Sequence, residues 1–326
     1  MTIGDPAGIG PEIALRALQR EDVRAAANVL LIGPKALLPR ELQRVTSLEA
    51  RLPVGTRQVC AFETAGEISS WEPGRVQASA GAAALSALRA GHEFALSGNV
   101  DALVTGPVSK QAMHLAGEHC EGQTELLGRW CGADRFQMTV RFQGLTVMLL
   151  TRHMPLKDAL GKITTSRVLD HLRMLHETLR RNGLEHPRIA LAGLNPHAGE
   201  AGLLGSEEIE ILEPAIAQAR DEQVEVHGPV SPDTLFSRAL KGEFDGVLSL
   251  YHDQAFIPMK LLGYDTGVTV IAGLPYLRVS PIHGTAFDLV GTGRASEENL
   301  CSALLEAAKL APAWSRSLAT STTNQS

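Results

Sequence analysis

Several features that would assign this 326-residue chain to a special class of protein are absent from its sequence. No apolar run is long enough to cross a bilayer as a helix, so no membrane segment is predicted. The chain has 30 Lys and Arg against 36 Asp and Glu, and its net charge of -6 gives no basic surface for nucleic acid. The N-terminal MTIGDPAGIGPE has no basic or apolar segment typical of a secretory signal, so a cytoplasmic location is expected.

Cysteines and the common nucleotide-binding motifs are scarce as well. The four cysteines, Cys60, Cys120, Cys131 and Cys301, are widely spaced and include no CxxC pair. This pattern indicates buried thiols in a reducing compartment and argues against a disulfide framework or a zinc ribbon. The glycine-rich segment Gly4–Glu12 (GDPAGIGPE) matches neither GxGxxG nor the P-loop, so a Rossmann-type cofactor site is not predicted.

Short apolar segments alternate with helical patterns along the chain. The strand-like segments are Asn28–Ile32, Ala102–Thr105, Leu145–Thr151, Ile189–Leu194, Gly246–Leu250 and Val268–Ile271. The helical patterns are Pro11–Gln19, Ala80–Leu96, Thr165–Arg180, Ser206–Ala219 and Ser296–Lys309. This alternation predicts an α/β fold with parallel strands covered by helices on both faces, and the length suits two domains.

Polar and glycine-rich clusters follow the predicted strands. They are GDPAGIGPE (4–12), TGPVSK (105–110), GQTE (122–125), TRHMP (151–155), NPHAGE (195–200), YHDQ (251–254) and HGTAFD (283–288). Ligands of doubly wound sheets bind outside the carboxyl ends of the strands. The clusters are therefore the candidate binding segments of this chain.

Three of these clusters place a histidine at the exit of a strand: His153, His197 and His252. A lone histidine is more often a structural hydrogen-bonding residue, but three at equivalent positions predict a catalytic metal site with open coordination positions. Such a donor set suits zinc or another divalent transition metal. Asp253, beside His252, is expected to orient a ligand or to join the metal site.

Basic residues near the same clusters are candidates for binding an anion. Lys260 and Arg278 bracket the strand Val268–Ile271, and Lys110 ends TGPVSK. Their side chains can hold a phosphate or a carboxylate, although a single lysine is more often a solvated surface charge. A lysine beside a reacting alcohol can also serve in proton transfer.

The clusters, taken in this order, resemble the 4-hydroxythreonine-4-phosphate dehydrogenase family of pyridoxal phosphate biosynthesis. LNPHAGE (194–200), PDTLF (232–236) and YHDQ are long and unusual strings. The resemblance implies two α/β/α domains with mostly parallel sheets, similar to isocitrate and isopropylmalate dehydrogenases, with the active site in the interdomain cleft. The expected domains are 1–115 with 270–326, and 116–269, which holds the metal and dimer contacts.

The family resemblance also implies roles for particular residues. In the family, histidines matching His153, His197 and His252 bind a divalent metal at the interface of a homodimer, with ligands from both subunits. Zinc is the first expectation, with magnesium, cobalt or manganese as alternatives. Substrate contacts match Thr124, Lys260 and Arg278.

The segment HGTAFDLVG (283–291) resembles a cofactor-binding loop, HGSAPDIAG, of isopropylmalate dehydrogenases. Its residues His283, Gly284, Thr285 and Asp288 become candidates for binding NAD or NADP. A nicotinamide enzyme with this loop does not need GxGxxG.

Two positions depart from the family pattern. The family often has histidine where this chain has Gln123, and asparagine where it has Thr269. Both replacements still form hydrogen bonds at a substrate site, but Gln123 carries no positive charge to a phosphate. These departures bear on substrate identity more than on reaction type.

The reaction implied by the resemblance is oxidation of 4-phosphooxy-L-threonine by NAD or NADP. The product is a β-keto acid, which loses carbon dioxide to give 3-amino-2-oxopropyl phosphate. The general base is open among Lys110, Asp233 and Asp253. Alternatives are a dehydrogenase of threonate or erythronate 4-phosphate, a three-histidine metal hydrolase, and a catalytically silent binding protein.

Overall fold

The computed structural model describes residues 1–47, 58–64, 68, 70–263 and 266–323. The chain divides into two compact units. The first unit is Met1–Arg135 with Val268–Ser326, and the second is Phe136–Gly267. The first unit therefore continues to Arg135, whereas the sequence analysis expected its boundary at residue 115.

Eleven strands are present in the described residues: β1 (Val29–Gly33), β2 (Gln43–Val45), β3 (Val59–Glu63), β4 (Ala102–Val104), β5 (Gln137–Phe142), β6 (Leu145–Leu149), β7 (Ile189–Ala192), β8 (Val226–Val230), β9 (Gly246–Ser249), β10 (Val268–Ala272) and β11 (Leu277–Pro281). The α-helices there are α1 (Gly10–Ala17), α2 (Glu21–Ala26), α3 (Ala78–Leu96), α4 (Lys110–Leu115), α5 (Gln123–Trp130), α6 (Leu156–Leu160), α7 (Thr165–Arg181), α8 (Glu213–Asp221), α9 (Pro232–Leu240), α10 (His252–Gly263) and α11 (Glu298–Thr323). None of these helices combines the length and apolar character that a bilayer crossing requires.

The first unit contains two groups of paired strands. Strands β1, β3 and β2 pair in that order, and all are parallel. Strand β11 pairs with β4 in parallel and with β10 in the antiparallel direction. Thr2 lies between the two groups, because its N–H donates to Val104 O at 2.9 Å while Ile3 N–H donates to Ile32 O at 2.9 Å. This pairing fixes where the GDPAGIGPE turn begins.

Helices pack closely on the strands of the first unit. Trp314 of α11 and Ile13 of α1 are buried in its core with Leu31 of β1. A Cβ atom at Gly81 of α3 would lie 2.0 Å from the backbone oxygen of Ala112. Only glycine permits this approach, which sets α4 and the TGPVSK segment against α3.

The second unit has the strand order β5-β6-β9-β7-β8. Its pairs are parallel except for β5 with β6, and β6 is buried along its whole length. Helix α7 buries Val168, Leu172, Leu175 and Leu179, whose spacing of three or four residues places them on one face. Thr164 caps this helix by accepting a hydrogen bond from Arg167 N–H at 3.3 Å. The predicted α/β fold with mostly parallel strands is confirmed.

Candidate functional site

Arg278 lies in β11 and has only 3% of its surface exposed. Its Nη2 donates to Thr105 Oγ1 at 2.6 Å and to Gln123 Oε1 at 3.4 Å, while its Nε has no hydrogen-bond partner. Burial lowers the pKa of Arg278 to about 10, so the guanidinium is charged at neutral pH. Within the described part of the chain no carboxylate forms a salt bridge with it, although the charge of Glu125 acts to raise its pKa. Burying a cation without a salt bridge costs free energy. The position is therefore suited to receive an anionic group of a ligand.

Gln123 begins α5 and links this helix to the TGPVSK segment. Its Nε2 donates to Gly106 O at 3.1 Å, and its Oε1 accepts the bond from Arg278. The two contacts orient the amide, since only its nitrogen donates and only its oxygen accepts. The half-buried Thr124 follows on the first turn of the same helix. These bonds explain why α5 belongs to the first unit.

The side chains of Thr269, Arg278 and Ser280 lie on one face of the β10–β11 pair. Thr269 is paired directly with Ser280, and Arg278 is two residues from Ser280 along β11. Residues that face each other across antiparallel strands, and residues two apart along one strand, share a face. The structure therefore brings the two positions that depart from the family pattern, Gln123 and Thr269, to the surroundings of Arg278.

Lys110 is exposed at the start of α4 and approaches the GQTE segment. An added Cβ at Gly122 would lie 3.4 Å from Lys110 Cε and 4.0 Å from its Nζ. The same atom would lie 3.3 Å from Glu125 Oε2. Because the lysine amine is close to Gly122, it is placed near the segment that carries Gln123 and Thr124.

The HGTAFD loop packs against the GDPAGIGPE turn within the first unit. Ile9 N–H donates to Thr285 O at 3.0 Å, and a Cβ at Gly8 would lie 2.9 Å from Thr285 Cβ. His283 Nδ1 is 3.0 Å from Gly284 O, and its buried Nε2 has no hydrogen-bond partner. Gly284 and Asp288 are exposed, so the four cofactor candidates occupy a partly open loop.

The three candidate metal ligands all belong to the second unit, but they are not grouped there. The rings of His153 and His252 have centroids 5.1 Å apart. His197 lies elsewhere, with its Nδ1 3.9 Å from Asp233 Oδ2. Among the residues that the structure describes, no three His, Cys, Asp or Glu side chains form a group able to hold a metal ion.

The spacing of His153 and His252 fits two ligands of one ion. With zinc–nitrogen bonds of about 2.1 Å and tetrahedral angles, two ligating imidazole rings have centroids about 5 Å apart. His252 Nδ1 is 2.7 Å from Asp253 Oδ1, which leaves Nε2 facing away from that carboxylate. A carboxylate is one of the common partners for the second ring nitrogen of a metal-binding histidine.

The acidic candidates for the general base both lie beside histidines. Asp233 accepts a hydrogen bond from Ser231 Oγ at 2.6 Å, and this bond, followed by His197, lowers the pKa of its carboxyl group. Asp253 contacts His252 as described above. Carboxylates in such contacts are suited to orient imidazole rings. Lys110 is therefore the remaining candidate for the general base.

Lys260 lies on α10, two turns after His252. The ring of His252 stacks on Phe256 with a centroid distance of 4.5 Å, and Lys260 Nζ is 5.8 Å from the Phe256 ring centroid. The positions are four residues apart, so all three side chains lie on one helix face. Lys260 therefore lies on the same face of α10 as His252, in the second unit.

A left-handed helical turn carries His197. Residues 197–201 have φ values of 52°, 52°, 78°, 44° and 55°. For each residue with a Cβ atom, this conformation costs roughly 1–2 kcal/mol relative to the right-handed one. Strain of this kind is kept where the surrounding structure enforces it, and it occurs most often at functional sites.

Two buried polar residues were not identified by the sequence analysis, although both lie in its clusters. Gln254 Oε1 accepts from Leu250 N–H at 2.7 Å, and its Nε2 donates to Gly193 O at 2.7 Å. It thus ties together the ends of β9 and β7, from which the segments of His252 and His197 depart. Asp5 is fully buried, its Oδ1 accepts from Ala7 N–H at 2.9 Å, and burial raises the pKa of its carboxyl group.

Comparison with known proteins gives one family and several relatives over almost the whole chain. The profile of the family described as pyridoxal phosphate biosynthetic protein PdxA matches residues 20–307. The 4-hydroxythreonine-4-phosphate dehydrogenase of Geobacter metallireducens is 41% identical, over 95% of this chain and 94% of its own length. The D-threonate 4-phosphate dehydrogenase of Salmonella typhimurium is also 41% identical, over 95% of this chain and 98% of its own length.

Solved structures agree with this relationship. The crystal structure of 4-hydroxythreonine-4-phosphate dehydrogenase from Klebsiella pneumoniae has a TM-score of 0.85 and 39% identity, and the match covers 95% of this chain and 96% of that one. A terephthalate 1,2-cis-dihydrodiol dehydrogenase from Burkholderia xenovorans has a TM-score of 0.66 and 29% identity, covering 94% and 96%. The substrates in these names differ, whereas dehydrogenation is common to them.

Proposed function

This chain belongs to the PdxA family, and we propose that it is an NAD(P)-linked dehydrogenase of four-carbon hydroxy acids that carry a 4-phosphate. The observation that carries the proposal is the buried, charged Arg278 with an unbonded Nε. A substrate with a carboxylate at one end and a phosphate at the other supplies the anion that this guanidinium lacks. Gln123, Thr124 and Thr269 add uncharged hydrogen-bonding groups from the same unit.

The first candidate substrate is 4-phosphooxy-L-threonine. Oxidation of its 3-hydroxyl group transfers a hydride to the nicotinamide and a proton to a base, for which Lys110 is the candidate. The ketone formed lies two carbons from the carboxylate, and a β-keto acid of this kind readily loses carbon dioxide. The final product is 3-amino-2-oxopropyl phosphate, a precursor for pyridoxal 5'-phosphate synthesis.

His153, His197 and His252 are the residues that would hold a divalent metal, with zinc preferred by three imidazole donors and magnesium, cobalt or manganese as alternatives. When bound, such an ion supplies Lewis-acid stabilisation of negative charge on the substrate oxygen. The chain's own contribution is to orient the donors, through Asp253 on His252 and Asp233 near His197. The HGTAFD loop, with His283, Gly284, Thr285 and Asp288, is proposed to contact NAD or NADP.

A homodimer in which each metal is shared between subunits accounts for the separation of the histidines. The segments that follow the three histidines expose large apolar side chains, as a protein interface requires. These side chains are Met154, Leu156, Leu160, Leu203, Leu204, Ile209, Ile257, Leu261 and Leu262. We propose that a second copy of the chain covers them.

D-threonate 4-phosphate is the second candidate substrate, because relatives of equal identity carry that name. Gln123 favours it as well. The 4-hydroxythreonine-4-phosphate dehydrogenase family often has histidine at this position, whereas this chain places a neutral amide next to Arg278. The two acids have the same spatial arrangement at carbons 2 and 3, and they differ in having an amino or a hydroxyl group at carbon 2.

A substrate panel tests the proposal. NAD(P)H formation by the metal-loaded protein is measured with 4-phosphooxy-L-threonine, D-threonate 4-phosphate and erythronate 4-phosphate, each with NAD and NADP. We expect a kcat/KM of about 10⁴ M⁻¹s⁻¹ or more with one of these acids, and none without the 4-phosphate. Preference for the amino acid supports vitamin B6 synthesis, whereas preference for an aldonate places the same chemistry in another pathway. No turnover with any of the three acids would refute the substrate class.

A further inference from the structure

The left-handed turn at residues 197–201 needs a structure that enforces it, and a buried glutamate lies against it. Glu208 has 2% of its surface exposed and lies at the start of a π-helical turn, Glu208–Leu212. The sequence pattern predicted an ordinary helix over Ser206–Ala219, in which Glu208 had no assigned role. No part of the proposed chemistry uses this group directly.

The Glu208 carboxylate binds the backbone at the entrance to the turn. Its Oε1 accepts hydrogen bonds from Leu194 N–H at 2.8 Å and from Asn195 N–H at 2.7 Å. Its Oε2 accepts from Asn195 Nδ2 at 2.9 Å. Burial opposes ionisation of Glu208, but the hydrogen bonds from Asn195 and Leu194 lower its pKa overall. The carboxylate is therefore a charged acceptor for three donors.

The same carboxylate also touches the middle of the turn. A Cβ at Gly199 would lie 2.7 Å from Glu208 Oε2, so the backbone there is in direct contact with the carboxylate. Glu208 thus contacts the chain on both sides of His197, at Asn195 and at Gly199. The His197 side chain itself is exposed, and its ring lies near Asp233, with Nδ1 3.9 Å from Oδ2.

We propose that Glu208 is a positioning residue that holds the left-handed turn and so presents His197 for metal binding. The part that concerns metal rests on the proposed function, whereas the part that concerns the turn does not. In the absence of the carboxylate, the residues from His197 to Ala201 are expected to relax toward right-handed or extended conformations. The His197 imidazole then samples many positions, so the entropy lost on ordering it weakens metal binding.

The test variant is Glu208→Gln, which keeps the size of the side chain but places an amide NH₂ against the donor Asn195 Nδ2. Glu210→Gln is the matched control, because Glu210 is an exposed acid of the same turn. Hydrogen exchange of the metal-free protein is expected to accelerate about tenfold in peptides spanning 193–206 of Glu208→Gln only. Cobalt(II) affinity, followed by its visible absorption, is expected to fall about 10- to 100-fold.

A polarity-inverted variant separates positioning from general destabilisation. In Asn195→Asp/Glu207→Gln/Glu208→Gln, the amides at 207 and 208 donate to the new carboxylate at 195, and the oxygen of the amide at 208 still accepts from the backbone. Glu207 is included because its Oε2 also accepts from Asn195 Nδ2, at 2.8 Å. Recovery of both slow exchange and cobalt affinity is expected relative to Glu208→Gln.

Exchange and cobalt affinity of Glu208→Gln that equal those of Glu210→Gln would overturn the proposal. His197→Ala serves to separate the two parts of the account. Wild-type cobalt affinity in His197→Ala would contradict the proposed metal site, and the exchange data alone would then decide the role of Glu208. Loss of cobalt binding in His197→Ala, with no change in Glu208→Gln, would contradict the positioning role.

Discussion

Replacing Arg278 with methionine is expected to lower kcat/KM for the phosphorylated substrate by about a hundredfold or more, because an anionic substrate group loses its buried charged partner. Thermal stability is expected to stay level or to rise, since the free protein no longer buries a cation that has no salt bridge. Steady-state kinetics and thermal unfolding of the same preparation check both expectations. A residue needed mainly for folding would give the opposite combination.

Arg141→Met is the matched control for this prediction. Arg141 is also a buried strand arginine, with 5% of its surface exposed, but it lies in the second unit and donates to Thr146 Oγ1. Its replacement is expected to reduce stability while leaving KM near the wild-type value. Unchanged kcat/KM in Arg278→Met would contradict the role of Arg278 in binding the substrate, on which the proposed function rests.

Single replacements of His153, His197 or His252 by alanine are each expected to reduce turnover by about a thousandfold or more, because each loses several kcal/mol of metal stabilisation.

Mixed dimers of two such variants are expected to recover activity only in certain combinations. Within one chain, His153 and His252 are close and His197 is apart, so we expect His197 to come from the partner subunit. A dimer of His153→Ala with His197→Ala then keeps one complete site, with about half the wild-type activity.

The pair His153→Ala with His252→Ala is the internal control. If both ligands come from one subunit, each site of this mixed dimer lacks one of them, and it stays inactive. Dimers purified through two different affinity tags allow the comparison. Recovery in this control pair, or no recovery in any pair that includes His197→Ala, would contradict the proposed sharing.

The strand–helix alternation was predictable because it rests on apolar runs. The predicted strand Val268–Ile271 is β10 in the structure, and Leu145–Thr151 contains β6. Strands β2, β3, β5, β8 and β11 were not predicted. Two of them, β5 and β11, carry a buried arginine, Arg141 or Arg278, that interrupts the apolar pattern. A buried charged residue inside a strand can be predicted only when its tertiary contacts are known.

The individual candidate residues were predictable from their clusters, but their grouping was not. Arg278 and Gln123 are 155 positions apart in the chain, and their contact results from the packing of α5 beside β11. The same packing extends the first unit past residue 115, because Gln123 also binds Gly106. No local pattern records such a bond.

The turn around His197 shows a further limit of pattern reading. The predicted helix Ser206–Ala219 divides into a π-helical turn and α8, and Glu208 is buried at the start of the π-helical turn. A glutamate in a helical pattern reads as a surface residue, since acidic side chains are seldom buried. Its burial follows from the three donors around it, which only the folded chain brings together.

The central claim, metal-dependent oxidation followed by loss of the carboxylate, is tested most directly by stoichiometry. Carbon dioxide and NAD(P)H are measured together while the metal-loaded protein consumes the substrate that the panel identifies. The account predicts one carbon dioxide for each NAD(P)H, with both signals abolished by chelation and restored by a divalent metal. Release of inorganic phosphate without reduction of the nicotinamide would contradict it and indicate a metal hydrolase instead.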